Sequence, residues 1–168
     1  MPTDGKQALI AGRDAGARQL VLAGPGTGKT ETVALRLRCL LESGVGPAQI
    51  LVLSFSRSAV RTVADRLERF AADSRGVMED LRYVSIRTFD SWSFRLLRQL
   101  GEAPRELLNL GFDGTIDRLV EGMFGDRRDD IAESLGGVRH LIIDEFQDLS
   151  GVRGRLVLTL LDLIAPPG

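Results

Sequence analysis

The sequence has very few of the side chains on which thiol, histidine and membrane functions depend. Its 168 residues include one cysteine, Cys39, and one histidine, His140. A single thiol excludes an intrachain disulfide and a cysteine-based metal site, and one histidine leaves almost no material for a Ser-His-Asp triad or a zinc site. The longest strongly apolar run, residues 156–164, is interrupted by Thr159 and Asp162 and is too short to span a bilayer. No basic start followed by an apolar stretch indicates a secretory signal. We therefore expect a cytoplasmic protein with no membrane partner.

Apolar residues make up 43% of the chain and charged residues 27%, close to the average of globular domains, so we expect a single domain over residues 1–168. Charge is unevenly distributed along it. Residues 54–100 carry 9 basic and 6 acidic side chains, whereas residues 101–168 carry 7 and 13. The middle of the chain is thus suited to face a polyanion, and the last part is not.

Apolar patterning predicts strands that alternate with helices. The predicted strands are residues 19–23, 50–54, 82–86 and 138–143. The predicted helices are residues 29–43, 60–70, 91–100 and 152–164, with weak helical pieces in the glycine-rich, acidic stretch 101–137. This alternation predicts an α/β fold with a parallel sheet and helices on both faces.

A glycine-rich segment between the first predicted strand and helix predicts a phosphate-binding loop. It reads Ala23, Gly24, Pro25, Gly26, Thr27, Gly28, Lys29 and Thr30, with alanine where the strict pattern has glycine. Backbone N–H groups can surround a di- or triphosphate only where the residues lack bulk and accept positive φ, and a helix N-terminus favours the anion. Lys29 is expected to reach the β- and γ-phosphates and Thr30 to bind Mg²⁺. The alternative is an ordinary glycine-rich turn.

Two carboxylates, Asp144 and Glu145, directly follow the last predicted strand. Ligands of open parallel sheets lie at the carboxyl ends of the strands, so these acids are expected at the same crevice as the phosphate loop. Asp144 would hold Mg²⁺, commonly through a water, and Glu145 would polarise the water that attacks the γ-phosphate. Taken alone, the two acids are equally consistent with favourable charges at a helix start.

Four segments, in their order and spacing, resemble the UvrD/Rep/PcrA family of superfamily 1 DNA helicases. They are the loop at 23–30, Leu-Ser-Phe-Ser-Arg-Ser-Ala at 53–59, Arg-Thr-Phe-Asp-Ser at 87–91 and Asp-Glu-Phe-Gln-Asp at 144–148. The resemblance implies a RecA-like P-loop motor domain that binds ATP and Mg²⁺, hydrolyses ATP and moves 3′-to-5′ on single-stranded DNA. It also implies catalytic roles for Lys29 and Glu145, and that Gln147 senses the γ-phosphate and couples it to DNA movement.

The same resemblance suggests how adenine is recognised. Gln7 lies 16 residues before Ala23, about where the family has an adenine-reading glutamine. A side-chain amide can donate and accept at once, which suits the edge of adenine. The flanking Thr3 and Asp4 differ from the family's usual Leu-Asn, and the alternative is a surface glutamine near a ragged terminus.

The second and third segments resemble the DNA-contacting parts of the family. The residues concerned are Phe55, Ser56, Arg57, Thr88 and Phe89. An aromatic ring and small hydroxyls at strand ends can stack a base and hold phosphates without reading sequence.

These DNA assignments have alternatives. The family usually has Asn-Lys where this chain has Arg57-Ser58, and often histidine where Asp90 stands, so we expect Asp90 to be the N-cap of the following helix. Phe89 and Trp92 are equally consistent with core positions. The four-residue spacing of residues 57, 61 and 65 fits either a cationic stripe or an exposed ion pair with Asp65.

Two parts of the family are expected to be shortened or missing in this chain. A helical subdomain that family members insert after the third segment is expected here as a shortened helical insert at residues 101–137. The resemblance also implies a second RecA-like domain, with the arginines that complete the ATP site, which this sequence does not show. We therefore expect either a fragment of a longer protein or a degenerate stand-alone remnant, inactive on its own and incomplete at the C-terminus of its fold. The sequence does not indicate an oligomeric state. An alternative of another class is a nucleotide-binding P-loop module with a regulatory or partner-binding role and no helicase activity.

Overall fold

The computed structural model describes residues 5–13, 19, 21, 28–71 and 83–164, without the side chains of residues 6, 7, 70 and 71. Its helices are α1 (Gly5–Ala11), α2 (Lys29–Glu42), α3 (Arg57–Ala71), α4 (Phe89–Gln99), α5 (Pro104–Phe124), α6 (Arg128–Ser134) and α7 (Gly151–Leu163). Its strands are β1 (Ile50–Ser54), β2 (Ser85–Thr88) and β3 (His140–Ile143), and short 3₁₀ turns lie at Pro47–Gln49 and Phe146–Asp148. The predicted strand at 19–23 falls largely outside the described residues.

The three strands form a parallel sheet in the order β2–β1–β3. Leu53 in the central strand lies opposite Arg87 of β2 and Ile143 of β3. Every residue of β1 is buried, as expected for a strand with helices above and below it. The predicted α/β fold with a parallel sheet is confirmed.

Two apolar layers cover the two faces of this sheet. On one face, Val52 packs with residues of α2 and α3 such as Leu37 and Val63. On the other face, Leu51 and Leu53 pack with buried residues of α4, α5, α6 and α7. Adjacent side chains of a strand point to opposite faces, so the alternation along β1 feeds both layers. None of the helices among the described residues combines the length and hydrophobicity needed to cross a bilayer.

The boundary between β2 and α4 differs from the prediction. The strand lies two to three residues later than expected, and the helix begins at Phe89 instead of residue 91. The reason is the cap: the hydroxyl of Thr88 accepts from the backbone N–H of Ser91 at 3.2 Å, so Thr88 is the N-cap. The expectation that Asp90 caps this helix is therefore wrong. Asp90 lies in the first turn and pairs with Arg153 at 3.0 Å.

The stretch at 101–137 is more regular than its composition suggests. It forms α5 and α6, and α5 contains a kink at Gly111, whose φ of 69° and ψ of −172° are not helical. Thr115 donates across the kink to the carbonyl of Gly111 at 2.7 Å. Buried residues of both helices join the core layer of α4 and α7, so tertiary packing compensates for the weak helix propensity of the glycines.

Candidate functional site

The candidate site lies at the carboxyl edge of the sheet. Because the strands are parallel, Ser54, Thr88 and Ile143 end at the same edge. The residues that directly follow these three strands belong to the second, third and fourth segments singled out in the sequence. The topology thus brings together segments that are far apart along the chain, at the edge where open α/β sheets bind ligands.

Lys29, the first residue of α2, extends its side chain to this edge of the sheet. The preceding Gly28 has φ 80° and ψ 28°, a left-handed conformation that glycine adopts without strain. Lys29 Nζ lies 3.8 Å from Glu145 Oε2, and both side chains are partly exposed. The end of the predicted phosphate loop and the acidic segment after β3 therefore meet. Residues 23–27 of that loop and the side chain of Gln7 lie outside the described residues.

Glu145 occupies an unusual backbone conformation. Its φ of 57° and ψ of 46° are left-handed, and it is the only non-glycine residue with positive φ in the described part of the chain. A non-glycine residue in this region costs about 1–3 kcal/mol, and such residues cluster at functional sites. The turn brings Gln147 Nε2 to donate to Glu145 Oε2, the oxygen that faces Lys29. Three predicted catalytic side chains thus form one polar cluster.

Asp144 lies beneath this cluster and is almost completely buried, at 3% exposed. Its backbone N–H donates to Leu53 O at 3.0 Å, and its Oδ1 accepts from the N–H of Glu145 at 3.1 Å. Burial, and then the charge of Glu145, raise the pKa of Asp144, while that backbone hydrogen bond and Lys29 partly offset the rise. A cation beside this carboxylate would favour its ionised form.

Thr30 is half-buried in the first turn of α2, and its hydroxyl has no hydrogen-bond partner among the described residues. Within the same part of the chain, no group of three or more histidine, cysteine, aspartate or glutamate residues is arranged to hold a metal ion. A divalent cation at this edge would therefore take few ligands from the protein. Mg²⁺ tolerates such a site because it keeps several waters and binds phosphate oxygens.

The predicted DNA residues lie at the same edge of the sheet as the polar cluster, at the ends of β1 and β2. The rings of Phe55 and Phe89 meet edge to face, with centroids 5.1 Å apart and an interplanar angle of 63°. Phe89 is fully buried in the core, as is nearly all of Trp92, whereas Phe55 is only partly buried. Of the two rings, only that of Phe55 therefore has surface available to a ligand. The buried ring of Phe89 packs against it.

The other three DNA candidates lie at helix starts. Ser56 Oγ accepts from the N–H of Ala59 at 3.0 Å and thereby caps α3, while the Thr88 hydroxyl is occupied in capping α4. Arg57 is exposed at the first position of α3. Neither Arg57 nor Arg61 forms an ion pair with any described residue. The expected alternative, an exposed ion pair with Asp65, is therefore not observed. The start of α3 is a cationic surface.

Arg153 near the start of α7 is a residue that the sequence did not single out. Its guanidinium contacts Asp90 at 3.0 Å and Asp113 at 2.7 Å, partners that lie 63 and 40 residues away in the chain. These ion pairs neutralise the carboxylate of Asp90, which lies within the third segment, predicted to contact DNA. No local pattern could reveal it, because the pairing depends on how α4, α5 and α7 pack together.

Comparisons with known proteins point to one family. The family described as the UvrD/REP helicase N-terminal domain matches residues 5–110. The ATP-dependent DNA helicase UvrD1 of Mycobacterium tuberculosis is 31% identical over 150 residues, which is 82% of this chain and 18% of that protein. The ATP-dependent DNA helicase PcrA of Staphylococcus aureus is 32% identical over 81 residues, 48% of this chain and 10% of that protein. No solved structure gives a significant match. The chain thus spans less than a fifth of the length of these curated relatives.

Proposed function

The chain belongs to the UvrD/REP helicase N-terminal domain family, and from this we propose that it is the ATP-binding motor domain of a DNA helicase or translocase. The proposed fold is a RecA-like P-loop domain, and the proposed movement is 3′-to-5′ on single-stranded DNA. A second RecA-like domain in the same polypeptide would complete the ATP site. The shortened insert of the family would correspond to residues 101–137.

The contact between Lys29 and Glu145 carries the nucleotide part of this proposal. At 3.8 Å and with partial exposure, the ion pair is weakly held, so a polyphosphate can replace Glu145 as the partner of Lys29. That exchange would leave the Glu145 carboxylate free to accept a proton from the attacking water. Gln147 donates to the same carboxylate oxygen, and this hydrogen bond supports the proposal that Gln147 senses the γ-phosphate.

Two observations support the fit of Mg²⁺ to this site. Asp144 has one carboxylate oxygen without a hydrogen-bond partner among the described residues, and the Thr30 hydroxyl also lacks one there. Both are hard oxygen ligands, the kind that Mg²⁺ prefers. We assign them as the protein's contribution to the metal, which when bound neutralises charge on the β- and γ-phosphates.

Removing the lysine tests the nucleotide site. Lys29→Ala should weaken Mg²⁺–ATP binding about ten- to a hundredfold, because a charge-assisted contact contributes about 1.5–3 kcal/mol. Isothermal titration calorimetry of the 168-residue chain measures this directly. Arg38→Ala is the control, since Arg38 lies further along α2 and pairs with Glu42 at 2.6 Å. Equal affinities of Lys29→Ala and wild type would exclude this loop as the phosphate site.

The DNA part of the proposal rests on Phe55 and the start of α3. Phe55 offers a partly exposed ring in contact with Phe89, and Arg57 adds an exposed positive charge without an ion-pair partner among the described residues. Such a combination stacks a base and attracts phosphates without reading sequence. Because Arg153 neutralises Asp90, that carboxylate no longer opposes a DNA phosphate at this edge.

Truncating the exposed ring tests this surface. Phe55→Ala should weaken binding of a labelled oligothymidylate about fivefold or more, because base stacking on an aromatic ring contributes about 1–3 kcal/mol. Fluorescence anisotropy at low salt gives the affinity, which should also fall as salt is added. Phe124→Ala serves as the control because its ring is 72% exposed in α5. If both variants bound DNA as wild type does, the DNA surface would have to be elsewhere.

A further inference from the structure

Two buried hydroxyl groups in the described part of the chain have no hydrogen-bond partner there. They are the Oγ atoms of Ser54 and Ser93, and both side chains are fully buried. Buried polar groups are nearly always paired, because an unpaired one loses its interactions with water and gains nothing in return. Each of these two hydroxyls therefore needs an explanation.

Ser54 is the last residue of β1 and lies beside Asp144. The pairing of Leu53 with Ile143, continued by one residue, sets Ser54 opposite Asp144, and the 3.0 Å bond from Asp144 N to Leu53 O fixes this alignment. Two residues earlier, Val52 and Ile142 are also paired and both pack against the α2 layer. Because side chains alternate along a strand, Ser54 and Asp144 share that face of the sheet.

Ser93 lies in a different place. It belongs to α4, which packs on the opposite face of the sheet, and its neighbours Trp92 and Leu96 are members of that core layer. The two serines are thus matched in burial and in their unpaired hydroxyl. Only Ser54 lies at the carboxyl edge beside the acidic segment.

We propose that Ser54 is a positioning residue of the metal–nucleotide site, whose Oγ accepts a hydrogen bond from a water that coordinates Mg²⁺ next to Asp144. This inference rests on the proposed function. Thr30 and Asp144 supply few ligands, and Mg²⁺ fills its remaining positions with phosphate oxygens and waters. A metal-bound water uses its lone pair on the metal and must donate its protons, and a hydroxyl oxygen can accept one of them. The unpaired Oγ of Ser54, beside Asp144 at the end of β1, is such an acceptor.

The test compares nucleotide affinity with and without the metal. Wild type, Ser54→Ala and Ser93→Ala of the 168-residue chain are titrated with ATP in Mg²⁺ and again in EDTA by isothermal titration calorimetry. Ser54→Ala should bind ATP about two- to tenfold more weakly in Mg²⁺, the loss expected for one hydrogen bond, and as tightly as wild type in EDTA. Ser93→Ala should match wild type in both conditions.

Thermal unfolding without nucleotide separates this role from a structural one. Because the Ser54 hydroxyl has no hydrogen-bond partner among the described residues, Ser54→Ala should be no less stable than wild type when no nucleotide is added. A clear loss of stability would reveal a structural partner and overturn the proposal, as would unchanged affinity in Mg²⁺ or an equal loss in EDTA. If Lys29→Ala weakened binding and Ser54→Ala did not, only this inference would fail. If wild type bound no ATP, the proposed function would fail with it.

Discussion

Glu145→Gln should lower ATP hydrolysis at least about a hundredfold in a polypeptide that carries this domain together with the second motor domain, because general-base assistance is lost. The amide has nearly the same shape as the carboxylate but cannot take the proton of the attacking water. ATP affinity should not fall, since Lys29 loses a competing partner and becomes more available to the phosphates. Steady-state phosphate release gives the rate, and equilibrium titration gives the affinity.

Glu42→Gln is the matched control for this change. Glu42 ends the same helix that Lys29 begins, and it too is paired with a cation, Arg38, at 2.6 Å. Removing its charge should leave ATP turnover unchanged, because the C-terminal end of α2 is remote from the end at which we propose that phosphates bind. Normal turnover by Glu145→Gln would show that another group serves as the base. A joint loss of turnover and ATP affinity would instead point to damage of the binding site.

The parallel sheet was predictable because its signals are local. Strands with apolar residues on both faces, alternating with amphipathic helices, are compatible with few architectures. The boundary between β2 and α4 was not predictable to the residue, since Thr88 and Asp90 are both good N-caps. Pairing with β1 extends the strand to Thr88, so the helix begins after this residue and Thr88 is its N-cap. Packing against α4 and α7, which the sequence does not display, likewise stabilises α5 despite its glycines.

The meeting of Lys29 and Glu145 could be anticipated from the sequence because topology alone requires it. In a parallel sheet, the loop after one strand and the acids after another share an edge. The left-handed backbone of Glu145 and the ion pairs of Arg153 carry no local signal and depend on three-dimensional packing. The unpaired hydroxyl of Ser54 likewise has no signal in the sequence. A serine at the end of a strand is ordinary, and only its complete burial beside Asp144 makes it informative.

We expect residues 1–168 on their own to hydrolyse ATP very slowly and to unwind no DNA. Phosphoryl transfer needs positive charge on the γ-phosphate beyond that of a lysine and a metal, and arginine fingers contribute about 10³–10⁵ in rate. In the family that this sequence resembles, the finger arginines belong to the second motor domain. Arg153, five residues after the acidic segment at 144–148, is already held by Asp90 and Asp113. Translocation also requires two domains that open and close around the nucleotide while each grips the strand.

A phosphate-release assay on the isolated chain, with and without single-stranded DNA, tests this prediction. The rate should stay at least about a thousandfold below that of a polypeptide containing both domains, the lower end of the arginine-finger contribution. Nucleotide and DNA binding should persist, since Lys29, Asp144 and Phe55 all belong to this chain. Glu145→Gln identifies any contaminating ATPase, because a genuine activity of this site must disappear in that variant. DNA-stimulated turnover that is fast in wild type and lost in Glu145→Gln would show that one domain suffices, and the two-domain mechanism would have to be abandoned for this chain.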